Sequence, residues 1–218
     1  MYYIRKVLYL VVLTWHCVGF TGSYDDFFIA IKRDDASTIG ALLNRGFDPN
    51  TLSPKAEHGL VGAIRDSSFK AVAALLSAPK IKVEVRTMND ESPLMLAALK
   101  GLTEICLQLI ELGADVNKPG WAPLHYAASG GHLAVMSLLL DHHAYIDAAS
   151  PNGTTPLMMA ARYGSFDTTK FLLEAGADPS LKNDLGLAAI DFAKAVDRTD
   201  VMDLIAGYVK ASPGQKTL

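Results

Sequence analysis

The sequence is short of cysteine, of basic charge and of long apolar runs, and each shortage excludes a class of protein. Its 218 residues include only Cys17 and Cys106, which excludes a disulfide framework and a cysteine-based zinc cluster. Lysine and arginine number 20 against 23 aspartates and glutamates, whereas a nucleic-acid-binding protein normally carries a basic excess. With 50% hydrophobic residues, 17 glycines and 10 prolines, the composition is that of a folded globular protein.

The motifs that usually carry catalytic chemistry are also missing from the sequence. It contains no Gly-x-Ser-x-Gly elbow, no phosphate-binding loop and no His-Glu-x-x-His motif. The carboxylate pairs Asp25–Asp26 and Asp34–Asp35 are interpreted as solvated or helix-capping groups. We therefore expect no enzymatic activity, no catalytic residue, no bound metal and no cofactor.

The first 23 residues have the layout of a secretory signal peptide. Arg5 and Lys6 precede the apolar run Val7–Leu13, which is far shorter than the roughly 20 residues that a membrane-spanning helix needs. Small residues favour cleavage after Gly19 or after Ser23, which leaves 18 basic and 23 acidic side chains, a net charge of −5. We predict a periplasmic or secreted protein without membrane insertion after cleavage. The alternative is an uncleaved signal that tethers the chain to the inner membrane.

The rest of the chain repeats itself at intervals of about 33 residues. One marker is a Pro-Leu pair that is separated by two residues from a pair of alanines. It occurs in Ser92–Ala98, Ala122–Ala128 and Thr155–Ala161. A second marker begins at a glycine that is followed by a loop, and it occurs in Gly46–Asn50, Gly113–Asn117 and Gly176–Ser180, with His143–Asp147 as a degenerate copy. Apolar residues at helical spacing lie between the two markers.

Each part of the repeat has a physical explanation. Proline at the first turn of a helix fixes φ and gives up an N–H that has no partner there, and the preceding Ser92 or Thr155 can cap the helix. Paired alanines allow the short first helix to lie close to its neighbours. Gly113 and Gly176 are placed to adopt the left-handed conformation that ends the second helix. The pattern predicts a series of helix-turn-helix units joined by short extended loops.

This pattern resembles the ankyrin repeat family over essentially the whole chain after the leader. The resemblance implies an all-α fold, a right-handed helix-turn-helix solenoid of stacked repeats with short hairpin loops, and no chemistry of its own. Three blocks are similar to small secreted or periplasmic ankyrin proteins of Gram-negative bacteria, namely Tyr24–Phe28, Pro119–Gly130 and Pro151–Gly164. We predict one domain of six repeats over 24–50, 51–84, 85–117, 118–147, 148–180 and 181–213, and a disordered tail over 214–218.

Two kinds of side chain that suggest a site are interpreted as structural. His125 and His132 occupy the positions where histidines of this family make structural hydrogen bonds. His142 and His143 are neighbours at a helix end and point in different directions, which disfavours a metal site. Cys106 lies among the leucines of a second helix and is interpreted as a buried, inert thiol.

In an ankyrin stack, equivalent positions form stripes across a concave face, and we predict a binding surface from these positions. The slot before the proline holds Trp121 in a shortened loop, and two interpretations stay open: an exposed binding anchor, or a cover for the loop and Pro119. Another stripe, Leu96, Tyr126, Met159 and Phe192, follows the histidine slot. Two interpretations stay open for it, half exposure on the concave face and packing between helices, and packing is favoured. The candidate partner-binding residues are Lys55, Glu57, Arg65, Asp66, Arg86, Met88, Asn89, Glu91, Leu99, Lys100, Trp121, Tyr126, Arg162, Tyr163, Lys182, Asp184, Leu185 and Leu187.

Mixed charge with scattered apolar residues on this face favours a protein or peptide partner and disfavours a nucleic acid. The sequence therefore predicts an exported, monomeric interaction module that binds a protein through the concave face. One alternative is an accessory factor that supports an exported enzyme, such as a catalase, or a defence against envelope stress. Another is an effector that acts on host proteins.

Overall fold

The structure is a computed structural model that describes residues 22–211. The predicted tail and all but the last two residues of the predicted signal peptide lie outside the described residues. The described part of the chain contains twelve helices and no strand, apart from one isolated bridge between Leu52 and His58, so the all-α fold class is confirmed. The chain falls into two compact units, which divide after Lys82.

The N-terminal unit contains two helix pairs. Helix α1 covers residues 22–32, and it is followed by α2 (Ala36–Asn44), α3 (Gly59–Arg65) and α4 (Phe69–Leu76). Phe27, Ile39 and Leu60 are fully buried in its core.

The second repeat departs from the family pattern because it carries Gly59 where the other repeats begin a helix with proline. A Cβ atom at Gly59 would lie 2.8 Å from Ile31 Cδ1 and 3.3 Å from Phe27 Cε1. Helix α1 therefore packs against the start of α3 so closely that only glycine fits there without a shift of these side chains. His58 Nδ1 accepts the N–H of Leu60 at 3.2 Å and caps α3 in place of a serine or threonine.

The C-terminal unit contains the remaining eight helices in four pairs. These helices are α5 (Pro93–Leu99), α6 (Thr103–Glu111), α7 (Pro123–Gly130), α8 (Leu133–Asp141), α9 (Pro156–Tyr163), α10 (Phe166–Glu174), α11 (Ala189–Lys194) and α12 (Thr199–Ala211). The first helices of the pairs, α5, α7, α9 and α11, pack in sequence against one another. Each second helix packs against its own first helix and against the second helix of the next pair. Helix α1 begins two residues before the first predicted repeat range, and the other five ranges each contain one helix pair.

Paired alanines line the contacts between the first helices, as the sequence predicts. Ala97, Ala127 and Ala160, together with the alanine that follows each of them, are fully buried. A methyl side chain allows two helix backbones to approach closely, and a repeat has no other way to bury this face.

The predicted helix ends are confirmed. Pro93, Pro123 and Pro156 each occupy the first helical turn, Ser92 Oγ accepts the N–H of Met95 at 3.2 Å, and Thr155 Oγ1 accepts the N–H of Met158 at 3.4 Å. Gly113 and Gly176 follow second helices at φ values of +91° and +100°. The two serine- or threonine-capped helices and the two glycine-terminated ones therefore form as the local sequence dictates.

A side-chain bridge that the sequence analysis did not predict joins successive loops. Asn117 Oδ1 accepts the N–H of Tyr145, and its Nδ2 donates to the carbonyl oxygen of His143, both at 2.8 Å. In the N-terminal unit, Asn50 makes the same pair of bonds to Lys82 and Lys80, also at 2.8 Å. These bonds fix the loop of the first repeat to that of the second, and the loop of the third repeat to that of the fourth.

The last repeat is attached to its neighbour through Arg198. One guanidinium nitrogen of Arg198 donates to the carbonyl oxygens of Ala160 and Ala161 at 3.2 Å and of Gly164 at 2.8 Å. These carbonyls lie at the C-terminal end of α9, where a cation is favoured; the Ala160 oxygen also accepts the N–H of Gly164 at 3.0 Å.

Replacement of Arg198 by alanine is expected to destabilise the last repeat by about 1–3 kcal/mol, because it leaves three carbonyl oxygens at the end of α9 without their charged donor. Relative to wild type, amide hydrogen exchange should become faster in α11 and α12 and change less in α7. Arg45→Ala is the matched control, since Arg45 donates to one exposed carbonyl within its own helix. Equal exchange in α11 and α12 of Arg198→Ala and wild type would contradict this role.

Candidate functional site

A shallow apolar pocket lies on the first helices of the C-terminal unit. Its volume is about 230 Å³, and its lining consists of Leu99, Trp121, His125, Tyr126, Ser129 and Met159. Leu99 ends α5, Tyr126 and Ser129 lie on α7, and Met159 lies on α9. The pocket therefore spans three consecutive repeats and exists only when these repeats are stacked.

The pocket lining arises from the stripe that the sequence analysis assigned mainly to packing. Leu96 is buried with 8% of its surface exposed, as that interpretation expects. Tyr126, Met159 and Phe192 occupy equivalent positions in the following repeats and are only half-buried. Leu96 thus packs between helices, while Tyr126 and Met159 keep the half-exposed position that the sequence left open and line the pocket.

Trp121 packs on a histidine of its own repeat and also lines the pocket. Its ring packs edge-to-face on the imidazole of His125, with the ring centroids 5.2 Å apart and an interplanar angle of 74°. The ring is half-buried and also lines the pocket. Trp121 is thus fixed by its own repeat and still presents apolar surface for binding.

His125 holds the wall of the pocket in place and is itself fully buried. Its Nδ1 accepts the backbone N–H of Ala122 at 3.1 Å, so Nε2 carries the proton and donates to the carbonyl oxygen of Thr154 at 2.9 Å. His132 Nε2 lies 2.9 Å from the carbonyl oxygen of Leu99. The predicted structural hydrogen bonds of both histidines are confirmed. Burial lowers the pKa of His125, which favours the neutral ring that this bonding pattern requires.

Acidic side chains lie on one side of the pocket. The pKa of Tyr126 is raised by its burial and by the negative charges of Glu91 and Asp90. Asp90 forms an ion pair with Lys118, which lowers the pKa of Asp90, and it also lies 3.7 Å from Arg86 Nε. Asp90 is thus already paired with cations of its own unit.

Arg162 and Tyr163 lie at the end of α9, after the lining residue Met159. The Arg162 guanidinium carbon lies 5.3 Å from the centroid of the Tyr163 ring, a cation–π contact that holds the half-buried guanidinium in place. Arg162 Nε is buried and has no hydrogen-bond partner among the described residues. No carboxylate in the described part of the chain pairs with Arg162.

The structure brings together only some of the predicted partner-binding residues. Leu99, Trp121 and Tyr126 line the pocket, Glu91 lies on its acidic side, and Arg162 and Tyr163 follow its last lining residue on α9. Lys100 is exposed next to Leu99 on the chain.

The remaining predicted residues lie outside the pocket lining. In the N-terminal unit, Glu57 forms an ion pair with Arg65, while Lys55 and Asp66 are exposed. The loop tips of the C-terminal unit expose Met88 and Leu185 over 97% and 78% of their surfaces, and the other exposed loop residues are Arg86, Asn89, Lys182, Asp184 and Leu187.

Three pocket residues, His125, Ser129 and Met159, were absent from the predicted set. The spacing of 33 residues between Tyr126 and Met159 was visible in the sequence and gave their equivalence, but their exposure depends on the packing of the helices. The side chain of Ser129 is small, and its hydroxyl donates to the carbonyl oxygen of His125 at 2.9 Å. It therefore does not fill the pocket.

The other chemically notable groups indicate no further site. Cys106 is fully buried, and burial raises the pKa of its thiol to about 12, so the interpretation as an inert thiol is confirmed. Among residues 22–211, no group of three or more histidine, cysteine, aspartate or glutamate side chains is arranged to hold a metal ion. No helix in this range is long and apolar enough to cross a membrane.

Comparisons with known proteins agree with this architecture. The family described as "Ankyrin repeats (3 copies)" matches residues 27–119 and 117–183. The chain is 30% identical over 152 residues to the B-cell lymphoma 3 protein homolog of Mus musculus, which covers 66% of this chain and 34% of that protein. It is 34% identical over 116 residues to Neurogenic locus notch homolog protein 1 of Homo sapiens, 51% of this chain and 4% of that protein.

A third relative is the Tyrosine-protein kinase Shark of Drosophila melanogaster, which is 28% identical over 172 residues, 77% of this chain and 18% of that protein. The chain therefore spans about a third or less of the length of these relatives.

Acid is expected to destabilise the stack through His125. Because its pKa is lower in the folded chain than the ordinary value of 6.5, the unfolded chain binds more protons, and stability falls as the pH drops below that value. The loss should not exceed about 1.4 kcal/mol per pH unit for this one group. The variant His125→Gln should be less stable than wild type at neutral pH. Urea denaturation should show that its free energy of unfolding falls less than that of wild type as the pH drops below 6.5. Identical pH dependence in the two proteins would contradict this assignment.

Proposed function

Because the chain belongs to the ankyrin repeat family, whose repeats are protein–protein interaction modules, we propose that it binds a protein partner through the pocket-bearing face of its C-terminal unit. The observation that carries the proposal is the pocket lined by Leu99, Trp121, Tyr126 and Met159. Half-buried aromatic side chains that are held rigidly around an apolar pocket are the usual anchors of protein interfaces.

The rigidity of the pocket walls supports this proposal. Trp121 is held by His125, and His125 is held in turn by hydrogen bonds to Ala122 and to the carbonyl oxygen of Thr154 in the next repeat. A partner side chain that enters such a pocket loses its own freedom but need not order the walls. Preorganisation of this kind raises affinity without additional contact area.

The same proposal includes export, and it rests on the leader alone. Arg5 and Lys6 precede the apolar run Val7–Leu13, a layout that favours a cleaved signal peptide and a periplasmic or secreted module. We propose a monomer without catalytic activity. An accessory role toward an exported enzyme and an effector role toward host proteins imply different partners, so the identity of the captured partner distinguishes them.

Crosslinking of the full chain in extracts of its source organism, followed by mass spectrometry, should identify the partner, whose affinity is then measured with purified protein. Two opposite changes are expected to weaken binding by about tenfold or more: Tyr126→Ala, which removes a wall, and Ser129→Leu, which fills the pocket. Tyr145→Ala is the matched control, since Tyr145 is 68% exposed and lies outside the pocket lining.

Urea denaturation of the three variants shows whether each remains folded. Retention of the wild-type affinity by folded Tyr126→Ala and folded Ser129→Leu would refute the proposed binding face. Loss of affinity in Tyr145→Ala alone would move the site to the loop that carries Tyr145.

A further inference from the structure

The size of the pocket limits what it can hold. At about 230 Å³ it is smaller than the roughly 300–1,000 Å³ that small-molecule sites occupy. Its walls are supplied mainly by the apolar parts of Leu99, Trp121, Tyr126 and Met159. One large apolar side chain fits such a space, and a cofactor does not.

The charges around the pocket differ between its two sides. Toward the third repeat, Asp90 and Glu91 carry negative charge that reaches the Tyr126 hydroxyl, and Asp90 is paired with Lys118 and Arg86. A negative group of a partner is disfavoured on this side by repulsion. A positive group gains little from Asp90, since its carboxylate already has two cationic neighbours.

Toward the fifth repeat, the pocket borders on Arg162. This residue follows Met159 by three positions on α9, so the two side chains lie on the same face of that helix. It also occupies the position equivalent to Ser129, one repeat further along the stack, and both Met159 and Ser129 line the pocket. Arg162 therefore lies on the helix face that carries the lining residue Met159, next to the pocket.

Arg162 is also held in place without a counter-charge. Its guanidinium rests on the Tyr163 ring, and the described residues supply neither a carboxylate nor an acceptor for its buried Nε. A buried donor without an acceptor costs stability, and a half-buried cation without an anion attracts one.

We infer that the pocket recognises an extended partner segment in which one apolar side chain enters between Trp121 and Tyr126 and an adjacent acidic residue pairs with Arg162. The inference rests on the proposed function and specifies the chemistry of the partner at the same face. The charge difference also fixes the direction of the segment: its acidic residue lies on the side of the fifth repeat, away from Asp90 and Glu91. A segment with a basic residue in that place is rejected.

A library of random dodecapeptides displayed on phage tests this inference on the full chain. The chain carries Trp15→Phe, so that Trp121 is the only tryptophan and its fluorescence reports occupancy of the pocket. We expect wild type to enrich peptides with one large apolar residue and aspartate or glutamate consistently on one side of it. Arg162→Glu should enrich lysine or arginine at the same place.

A synthetic peptide of the selected sequence then gives the affinity through Trp121 fluorescence. Arg162→Glu should weaken its binding by about tenfold or more, since a charged hydrogen bond is replaced by repulsion. Lys210→Glu makes the same change of charge on α12, outside the pocket lining, and should leave the affinity unchanged. The peptide with its acidic residue changed to lysine should bind Arg162→Glu better than it binds wild type.

The outcomes separate this inference from the proposed function. Selected peptides that lose affinity in Tyr126→Ala but show no charge preference, or the same preference in Arg162→Glu, overturn the inference and leave the binding face in place. Peptides that bind Tyr126→Ala as they bind wild type overturn both. If no peptide is enriched, the extended segment is wrong, and a folded partner whose capture depends on Tyr126 would still support the face. Self-association of the chain that Tyr126→Ala abolishes would assign the pocket to a second copy and overturn the inference.

Discussion

The close approach of successive first helices is the constraint on which the C-terminal unit depends. Each of these helices has an apolar face that it can bury only against the next one, and paired alanines make that approach possible. The terminal repeat packs through α11 in the same way, and Arg198 attaches it further by binding the carbonyl end of α9. Stability in such an array is the sum of contacts between neighbours, so a surface that spans three repeats exists only while all three are stacked.

The same contacts create the candidate site. Alanines set the spacing between α5, α7 and α9, and the larger side chains one position before each alanine pair must then extend outward at Tyr126 and Met159. His125 joins the repeat of Trp121 to the next repeat through its hydrogen bond to Thr154. The imidazole of His125 therefore supports both the pocket wall and the contact between the two repeats. Binding at the pocket is therefore coupled to the stacking of the repeats, and a ligand there should stabilise the stack.

Local sequence rules predicted the helix pairs, their proline starts and their glycine ends, because each of these depends on a few neighbouring residues. The structural role of His125 was expected from the family resemblance, since its bond to Thr154 joins two repeats. The pocket depends on longer-range packing and was only partly predicted. Leu96 and Tyr126 occupy the same slot, yet one is buried and the other lines a cavity. Gly59 shows the same limit. A residue with a Cβ atom would be too close to Ile31, which lies on another helix, so the requirement for glycine is visible only in the packed structure. The lack of a hydrogen-bond partner at the buried Nε of Arg162 is likewise visible only once α9 and its neighbours are in place.

The location of binding is tested most directly by the methionine methyl resonances of the full chain, labelled with carbon-13. The seven methionines include Met159 in the pocket, the exposed Met88 at a loop tip and the buried Met136 in α8. When the captured partner or a selected peptide is added, the Met159 resonance should shift while those of Met88 and Met136 stay in place. A shift of Met88 with an unchanged Met159 would contradict the assignment of the pocket as the binding site.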